Sequence, residues 1–265
     1  MTARRRLDLE LVRRRIAATR SEAVEAIAGG RVTVGGRPAV KASMLVRDDE
    51  PLHVEPVRRF ASRGGDKLAP ALERFGVDPQ GKRCLDAGAS TGGFTDVLLA
   101  RGAAHVVAVD VGYGQLSWRL REDPRVTVME RTNVRGIGPQ DLPYRPDLLV
   151  ADLSFISLQK VVPALASVAA PGGDLILLVK PQFEAGPSDV GRRGVVRDPA
   201  VWRRAVAAVA EACRAAGLGP RDVTPSLLPG PAGNVEFFLH ARAGDPGRAL
   251  DLDAALAAVP VRRTG

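Results

Sequence analysis

The sequence predicts an α/β protein: a doubly wound, mainly parallel seven-stranded sheet with an antiparallel edge strand, preceded by a small α+β domain. Three observations predict it. Five apolar, β-branched runs (RCLDAG, HVVAVDV, RVTVME, DLLVADL and DLILLVKP) alternate with helical stretches such as GFTDVLLARGA and SLQKVVPALASVA, the pattern of strands buried on both faces. After a helical run over 201–216, RDVTPSLLPG and GNVEFFLHAR flank a turn rich in Pro and Gly, which predicts an antiparallel pair at the sheet edge. Ahead of these elements, the N-terminal segment carries its own helix and hairpin punctuation.

In that segment Leu7, Leu11 and Ile16 recur at helical spacing. Thr19 and Glu22 then match a capping box, opening a second helix with Ala23, Val24 and Ile27 on its inner side, and Gly29 and Gly30 stop it. RVTVGGRPAV alternates about Gly35 and Gly36 as a hairpin does, and PLHVEP adds a short strand. The stretch PVRRFASRGGDK has no sustained period and reads as a linker. The expected division is a first domain over 1–57, a linker over 58–64, a second domain over 65–244 and a tail over 245–265, with a short helix around 250–258 before the end frays.

At 265 residues and 45% hydrophobic, the chain can bury an α/β core of about 180 residues and still form a small second domain. No run of 18 uncharged apolar residues occurs, and the start MTARRRLDLELVRRR lacks the apolar stretch of a secretory signal, so the chain reads as cytoplasmic with no membrane partner. Cys84 and Cys213 sit far apart in apolar contexts, as reduced core residues do, and His53, His105 and His240 show no ligand spacing. No metal site is expected. The net charge is +8, and residues 1–41 hold ten Lys and Arg against four acids. Such a cluster attracts a polyphosphate backbone by counterion release; it would equally suit a solvated arginine-rich surface.

The stretch CLDAGASTGGF follows the first strand of the sheet, where doubly wound folds bind ligands. No Lys follows Gly92 and Gly93, which excludes a P-loop, and Gly88 is followed by Ala89 and Ser90, which breaks the dinucleotide fingerprint. Asp86, Gly88, Ser90, Thr91, Gly92, Gly93 and Phe94 instead form a loop that brings backbone and a carboxylate to a cationic or zwitterionic ligand. Asp110 ends the next strand, 22 residues after Gly88, where an acid can accept both hydroxyls of a ribose. An adenosine ligand without pyrophosphate fits, and S-adenosylmethionine meets that description.

Four further residues border strand ends. Asp152 closes LLVAD, Lys180 closes LILLVK, Glu236 lies among apolar residues in NVEFFLH, and Lys67 begins a helix after the linker. Two lysines and two acids can form a structural ion-pair cluster. They also suit methyl transfer to a sugar hydroxyl, which needs a base at the oxygen and in-line placement against a sulfonium methyl. In that reading Lys180 is the base, Lys67 a neighbouring cation or phosphate positioner, and Asp152 and Glu236 orient the lysines and the hydroxyl, with Asp152 also a cofactor contact.

The stretches SRGGDKL, LDAGASTGGFTD, VDVGYGQL, ERTNVR, ADLSFISL, LVKPQFEAG and GNVEFF carry a resemblance. Residues 62–242 resemble an FtsJ-type ribose methyltransferase, and the N-terminal segment resembles the small RNA-binding domain named after ribosomal protein S-four. In that order the whole chain resembles the TlyA family. The resemblance implies a Rossmann-like S-adenosylmethionine-dependent methyltransferase that methylates ribose 2′-oxygens of cytidines in ribosomal RNA, within the large subunit and, given the basic start and extended tail, also the small one. It aligns Lys67, Asp152, Lys180 and Glu236 with a Lys-Asp-Lys-Glu catalytic set and places Asn133 at the adenine. The N-terminal arginines Arg4, Arg6, Arg14, Arg20 and Arg31 are then the expected phosphate contacts on ribosomal subunits. Family members have also been called hemolysins. A membrane-active toxin, or an RNA binder whose methyltransferase fold is inactive, is therefore the competing class.

Overall fold

The computed structural model describes residues 4–55 and 59–260. Residue 58 of the expected linker and the final residues of the expected tail, 261–265, lie outside them. The chain divides into two compact units, Met1–Arg58 and Arg59–Gly265.

In the first unit β1 (Arg4–Arg6) runs into α1 (Leu7–Arg13) and α2 (Arg20–Ala28), followed by β2 (Val32–Val34), β3 (Arg37–Pro38), β4 (Leu45–Arg47) and β5 (Leu52–Val54). β2 pairs antiparallel with β3 and with β5, and β1 pairs antiparallel with β4. The hairpin is as the sequence predicts: Val34 stands opposite Arg37, and Gly35 and Gly36 take φ of 56° and 78°, the left-handed pair such a turn needs. Half of the capping box forms. Thr19 Oγ1 accepts from the Glu22 N–H at 3.2 Å, whereas the Glu22 carboxylate reaches past Thr19 to the Ala18 N–H at 2.7 Å. Two details differ from expectation. Helix α1 closes at Arg13, leaving Ile16 beyond it, and Val24 is 40% exposed because the buried stripe of α2 is Ala23, Ala26 and Ile27. One residue on from Ala23 turns 100° around the helix, away from that stripe.

The second unit opens with α3 (Arg63–Phe75), which begins inside the segment expected as linker. Ser62 caps it by accepting from the Gly64 N–H at 3.2 Å, and Phe60 is buried against it. Then follow β6 (Arg83–Ala87), α4 (Gly93–Ala100), β7 (His105–Val109), α5 (Trp118–Arg121), β8 (Val126–Met129), β9 (Leu148–Ala151), α6 (Val162–Val168), β10 (Asp174–Val179), α7 (Pro181–Glu184), α8 (Pro199–Ala215), β11 (Leu218–Pro225), β12 (Phe237–Ala243) and α9 (Leu252–Ala257). The seven-stranded sheet has the order β11-β12-β10-β9-β6-β7-β8. Only β12 runs against its neighbours, pairing antiparallel with both β10 and β11.

Alternate residues of each strand feed two cores. Leu85, Ala87, Val107 and Val109 pack with Val162, Leu165, Val206 and Val209 from α6 and α8, and α9 adds Ala255. Cys84, Val106 and Ala108 pack on the other face with Leu68, Leu72, Val97 and Leu98 from α3 and α4. This two-sided burial explains why the strands read as continuous apolar runs. Both cysteines are buried free thiols.

Candidate active site

Parallel register places three loop residues side by side. Ala87 of β6 lies between Val109 of β7 and Ala151 of β9, so the next residues, Gly88, Asp110 and Asp152, leave the sheet together at its carboxyl end. Gly88 has φ of 85°, and a Cβ there would lie 2.5 Å from the Asp152 carbonyl oxygen, so only glycine fits. A cleft of about 430 Å³ opens over this point. Of the residues the sequence nominates for cofactor binding, Gly88, Ser90, Asp110, Asn133 and Asp152 line it. Asp110 accepts the Ser90 N–H at 2.8 Å through one oxygen and the Gly112 N–H at 2.7 Å through the other. Each carboxylate oxygen has two lone pairs, so one on each remains for a hydroxyl pair.

The other nominated residues do not line the cleft. Asp86 is fully buried beneath it, where Oδ2 accepts from the Thr95 N–H at 2.8 Å and from Thr95 Oγ1 at 2.7 Å, fastening the start of α4. Its Oδ1 has no partner among the described residues, and burial pushes the carboxyl up to about 7. Phe94 belongs to the core between α3 and α4. Gly92 and Gly93 serve packing. A Cβ on Gly93 would lie 2.2 Å from Ser62 Oγ and 2.9 Å from the Gly65 nitrogen, so Gly93 lets the starts of α3 and α4 touch, whereas a Cβ on Gly92 would lie 2.3 Å from the Leu120 side chain of α5. Thr91 is exposed and accepts from the Ser117 N–H through its carbonyl.

The four residues expected to share one pocket form two ion pairs. Lys180 follows β10, is 9% exposed, and places Nζ 2.5 Å from Asp152 Oδ1 and 3.0 Å from Ser154 Oγ, to which it donates. The contact to Asp152 lies outside hydrogen-bond geometry, leaving that oxygen formally unpaired. Asp152 and Ser154 both line the cleft, so Lys180 stands at its edge. Lys67 donates to Glu236 Oε2 at 2.7 Å, and both are buried. Lys67 also borders a separate hollow of about 160 Å³ with Arg74 and Ser226. The pairs reach the same end of the sheet because β12 is antiparallel: Val179 pairs with Phe237, so Lys180 and Glu236 directly follow and precede that rung.

Sequence reasoning missed several lining residues, among them Val111, Gln115, Leu153 and Phe155. Phe155 is the most conspicuous. It is 92% exposed with φ of 63°, and its ring lies 5.3 Å from that of Phe183, which in turn stands 5.9 Å from Lys180 Nζ. A left-handed, exposed phenylalanine is an outlier that points to function rather than packing. Its only signal in the sequence is an aromatic residue soon after a strand-ending acid.

Of the N-terminal arginines, Arg4 is exposed, and Arg6 and Arg20 keep 41% and 61% of their side chains exposed. Arg31 gives one N–H to the Glu55 carbonyl at 3.2 Å. Arg14 is engaged throughout: Nε donates to Glu10, Nη1 to the Glu50 carbonyl and Nη2 to the carbonyls of Arg47 and Asp48. It braces α1 on the β4–β5 turn and leaves little for a phosphate.

Residues 60–243 match the family of FtsJ-like methyltransferases, and residues 5–51 match the S4 domain. A relative from Mycobacterium tuberculosis, the 16S/23S rRNA (cytidine-2′-O)-methyltransferase TlyA, is 55% identical over 91% of this chain and 91% of its own length. YqxC of Bacillus subtilis, provisionally named an rRNA methyltransferase, is 44% identical over 91% of this chain and 86% of its own. A solved structure from Streptococcus thermophilus, described as a candidate hemolysin, is 35% identical, covers 97% of this chain and 96% of its own, and superposes with a TM-score of 0.74. With the glycine loop at the switch point, the acid after β7 and the FtsJ and S4 matches in the same order, the chain belongs to the TlyA family of FtsJ-like methyltransferases.

Proposed function

We propose that the protein is a cytoplasmic S-adenosylmethionine-dependent methyltransferase acting on the 2′-oxygen of cytidine riboses in ribosomal RNA of the large subunit, with small-subunit RNA as a second substrate. The observation that carries this reading is Lys180, buried at the edge of the cleft between Asp152 and Ser154. The residues present fit the methyl donor. Gly88 offers backbone that no side chain could occupy, Asp110 retains acceptor capacity for a ribose, and Asn133 lines the same cleft. When bound, S-adenosylmethionine supplies an electrophilic methyl on a sulfonium.

The chain's own part is placement and proton removal. Lys180 enters the step as the neutral amine, its ammonium proton already released to solvent, and takes the proton of the 2′-hydroxyl as the oxygen–methyl bond forms; Asp152 with Ser154 fixes the direction of Nζ. The exposed ring of Phe155, with the half-buried ring of Phe183 tilted 48° to it, gives an aromatic surface on which a base drawn out of an RNA helix stacks. Lys67 and Glu236 neutralise each other at the same end of the sheet, where Glu236 directly precedes β12. Arg4, Arg6, Arg20 and Arg31 of the S4 unit supply phosphate contacts that give affinity without sequence.

The test is methyl transfer from labelled S-adenosylmethionine to ribosomal subunits of a strain lacking the gene, followed by mapping of the labelled riboses. Label on a cytidine 2′-oxygen is expected; label on a base, or none, overturns the reading. Among the described residues no helix is long and apolar enough to cross a membrane. Lysis of liposomes by nanomolar protein would favour the hemolysin reading, and RNA binding without label would favour an inactive fold.

A further inference from the structure

Two carboxylates of α1, Asp8 and Glu10, are each 0% exposed although both lie on a seven-residue surface helix. A carboxylate is held out of water only where cations and N–H groups replace its hydration. The two solve this differently. Glu10 accepts Nε and Nη2 of Arg13 at 2.8 and 2.5 Å and Nε of Arg14 at 2.6 Å, and Arg14 spends its other donors on carbonyls. That cluster ties α1 to the turn after β4.

Asp8 accepts Nε and Nη2 of Arg6, both at 3.0 Å, Nε of Arg20 at 2.9 Å, and the Leu9 N–H at 3.0 Å. Its arginines come from two elements, the end of β1 and the start of α2, and both meet the same oxygen, Oδ2. Arg6 thereby uses one edge of its guanidinium and keeps Nη1, while Arg20 keeps both Nη groups; none of these makes a bond among the described residues. The free edges belong to half-exposed side chains. Chiefly through its bonds to Arg6, the Asp8 carboxyl is held down to about 2 and stays ionised.

We infer that Asp8 is a positioning residue for RNA: a buried anion that holds Arg6 and Arg20 side by side as a two-guanidinium fork for one backbone phosphate. The inference rests on the ribosomal-RNA reading above. Pre-orienting both forks removes the rotamer entropy that two free arginines would lose on binding. The result is a signed prediction against simple charge counting. Asp8→Asn makes a basic face one unit more positive, yet it releases the fork, so RNA binding weakens.

The experiment is a double-mutant cycle on the full-length protein. Dissociation constants are measured for ribosomal subunits from a strain lacking the gene, using wild type, Asp8→Asn, Arg20→Lys and the pair together. Each single variant is expected to bind about tenfold more weakly, and the double variant no more weakly than either, because both remove the same fork. KM for subunits rises in step, while kcat at saturating subunits and the affinity for S-adenosylmethionine stay at wild-type values. Equal or tighter binding by Asp8→Asn, or losses that multiply to about a hundredfold, overturn the inference. If Asp8→Asn melts the first unit, the cycle of Arg6→Lys with Arg20→Lys decides in its place, since both keep the charge and only the fork is lost: multiplying losses again overturn it. A wild type that neither binds nor labels subunits overturns the ribosomal-RNA reading itself, whereas the outcomes above on an active wild type concern the fork alone.

Discussion

Val179 of β10 pairs with Phe237 of β12 across the antiparallel step of the main sheet, and this rung brings Lys180 and Glu236 to the same end. In a wholly parallel sheet the residue before a strand would lie at the opposite end from the residue after its neighbour. Reversing one strand lets an acid late in the chain join loops that follow the parallel strands.

Lys180→Ala is expected to lower turnover by about 10²- to 10⁴-fold, the usual contribution of a positioned base. Affinity for S-adenosylmethionine, measured by calorimetry, should change less than twofold. Near-normal single-turnover methylation would remove Lys180 from the role of base.

Glu236→Gln leaves the buried Lys67 ammonium without its anion, which costs about 3–5 kcal/mol in such settings and should lower Tm markedly. Adding Lys67→Met to Glu236→Gln should recover most of that loss. If the double variant also recovers methyl transfer, the pair is only structural; continued inactivity assigns it a part in the reaction.

Gly88→Ala places a methyl group 2.5 Å from the Asp152 carbonyl oxygen at a φ of 85°. A loss of about 2–3 kcal/mol in stability is expected, together with loss of S-adenosylmethionine binding, because the loop must move off β9. Thermal melts with and without the ligand check both parts. Retained ligand stabilisation would place the binding site elsewhere.

Burial raises the Asp86 carboxyl to about 7 from an ordinary 3.8. Between those values the unfolded chain releases a proton that the folded chain keeps, so stability falls as pH rises from about 4 to about 7 and levels off above. Asp86→Asn retains an acceptor for Thr95 and abolishes this slope. Its Tm should match wild type at pH 4 and exceed it at pH 8. Loss of S-adenosylmethionine binding in this variant would instead show that Asp86 serves the ligand.

Removing residues 1–58 should leave a folded second unit that binds S-adenosylmethionine and does not methylate assembled subunits. Cutting four residues further on deletes Phe60, which covers Gly65, and the Ala61 N–H that binds Asp96 at 2.8 Å, so that product should melt lower. Unchanged subunit methylation by the shorter deletion would refute the need for the S4 unit.

What the sequence by itself determined is what local spacing encodes. The five strand runs, the Gly35–Gly36 hairpin, the cap at Thr19, the glycine loop and the acid after β7 are all legible, since each depends on neighbours a few residues away or on one strand-helix-strand repeat, but RVTVME, expected to be buried on both faces, forms the half-exposed edge strand β8. Only the tertiary structure decided which charged residues meet. Asp8 looks like a solvated acid on a short helix and is enclosed by arginines from β1 and α2, while Asp86, placed like a ligand contact, is sealed under α4. The Lys-Asp-Lys-Glu set divides into two pairs because Lys180 meets the loop after the adjacent β9, whereas Lys67, on α3, meets Glu236 just before β12. Side-chain pairing over 169 residues is set by strand register and helix packing, which sequence periodicity does not encode.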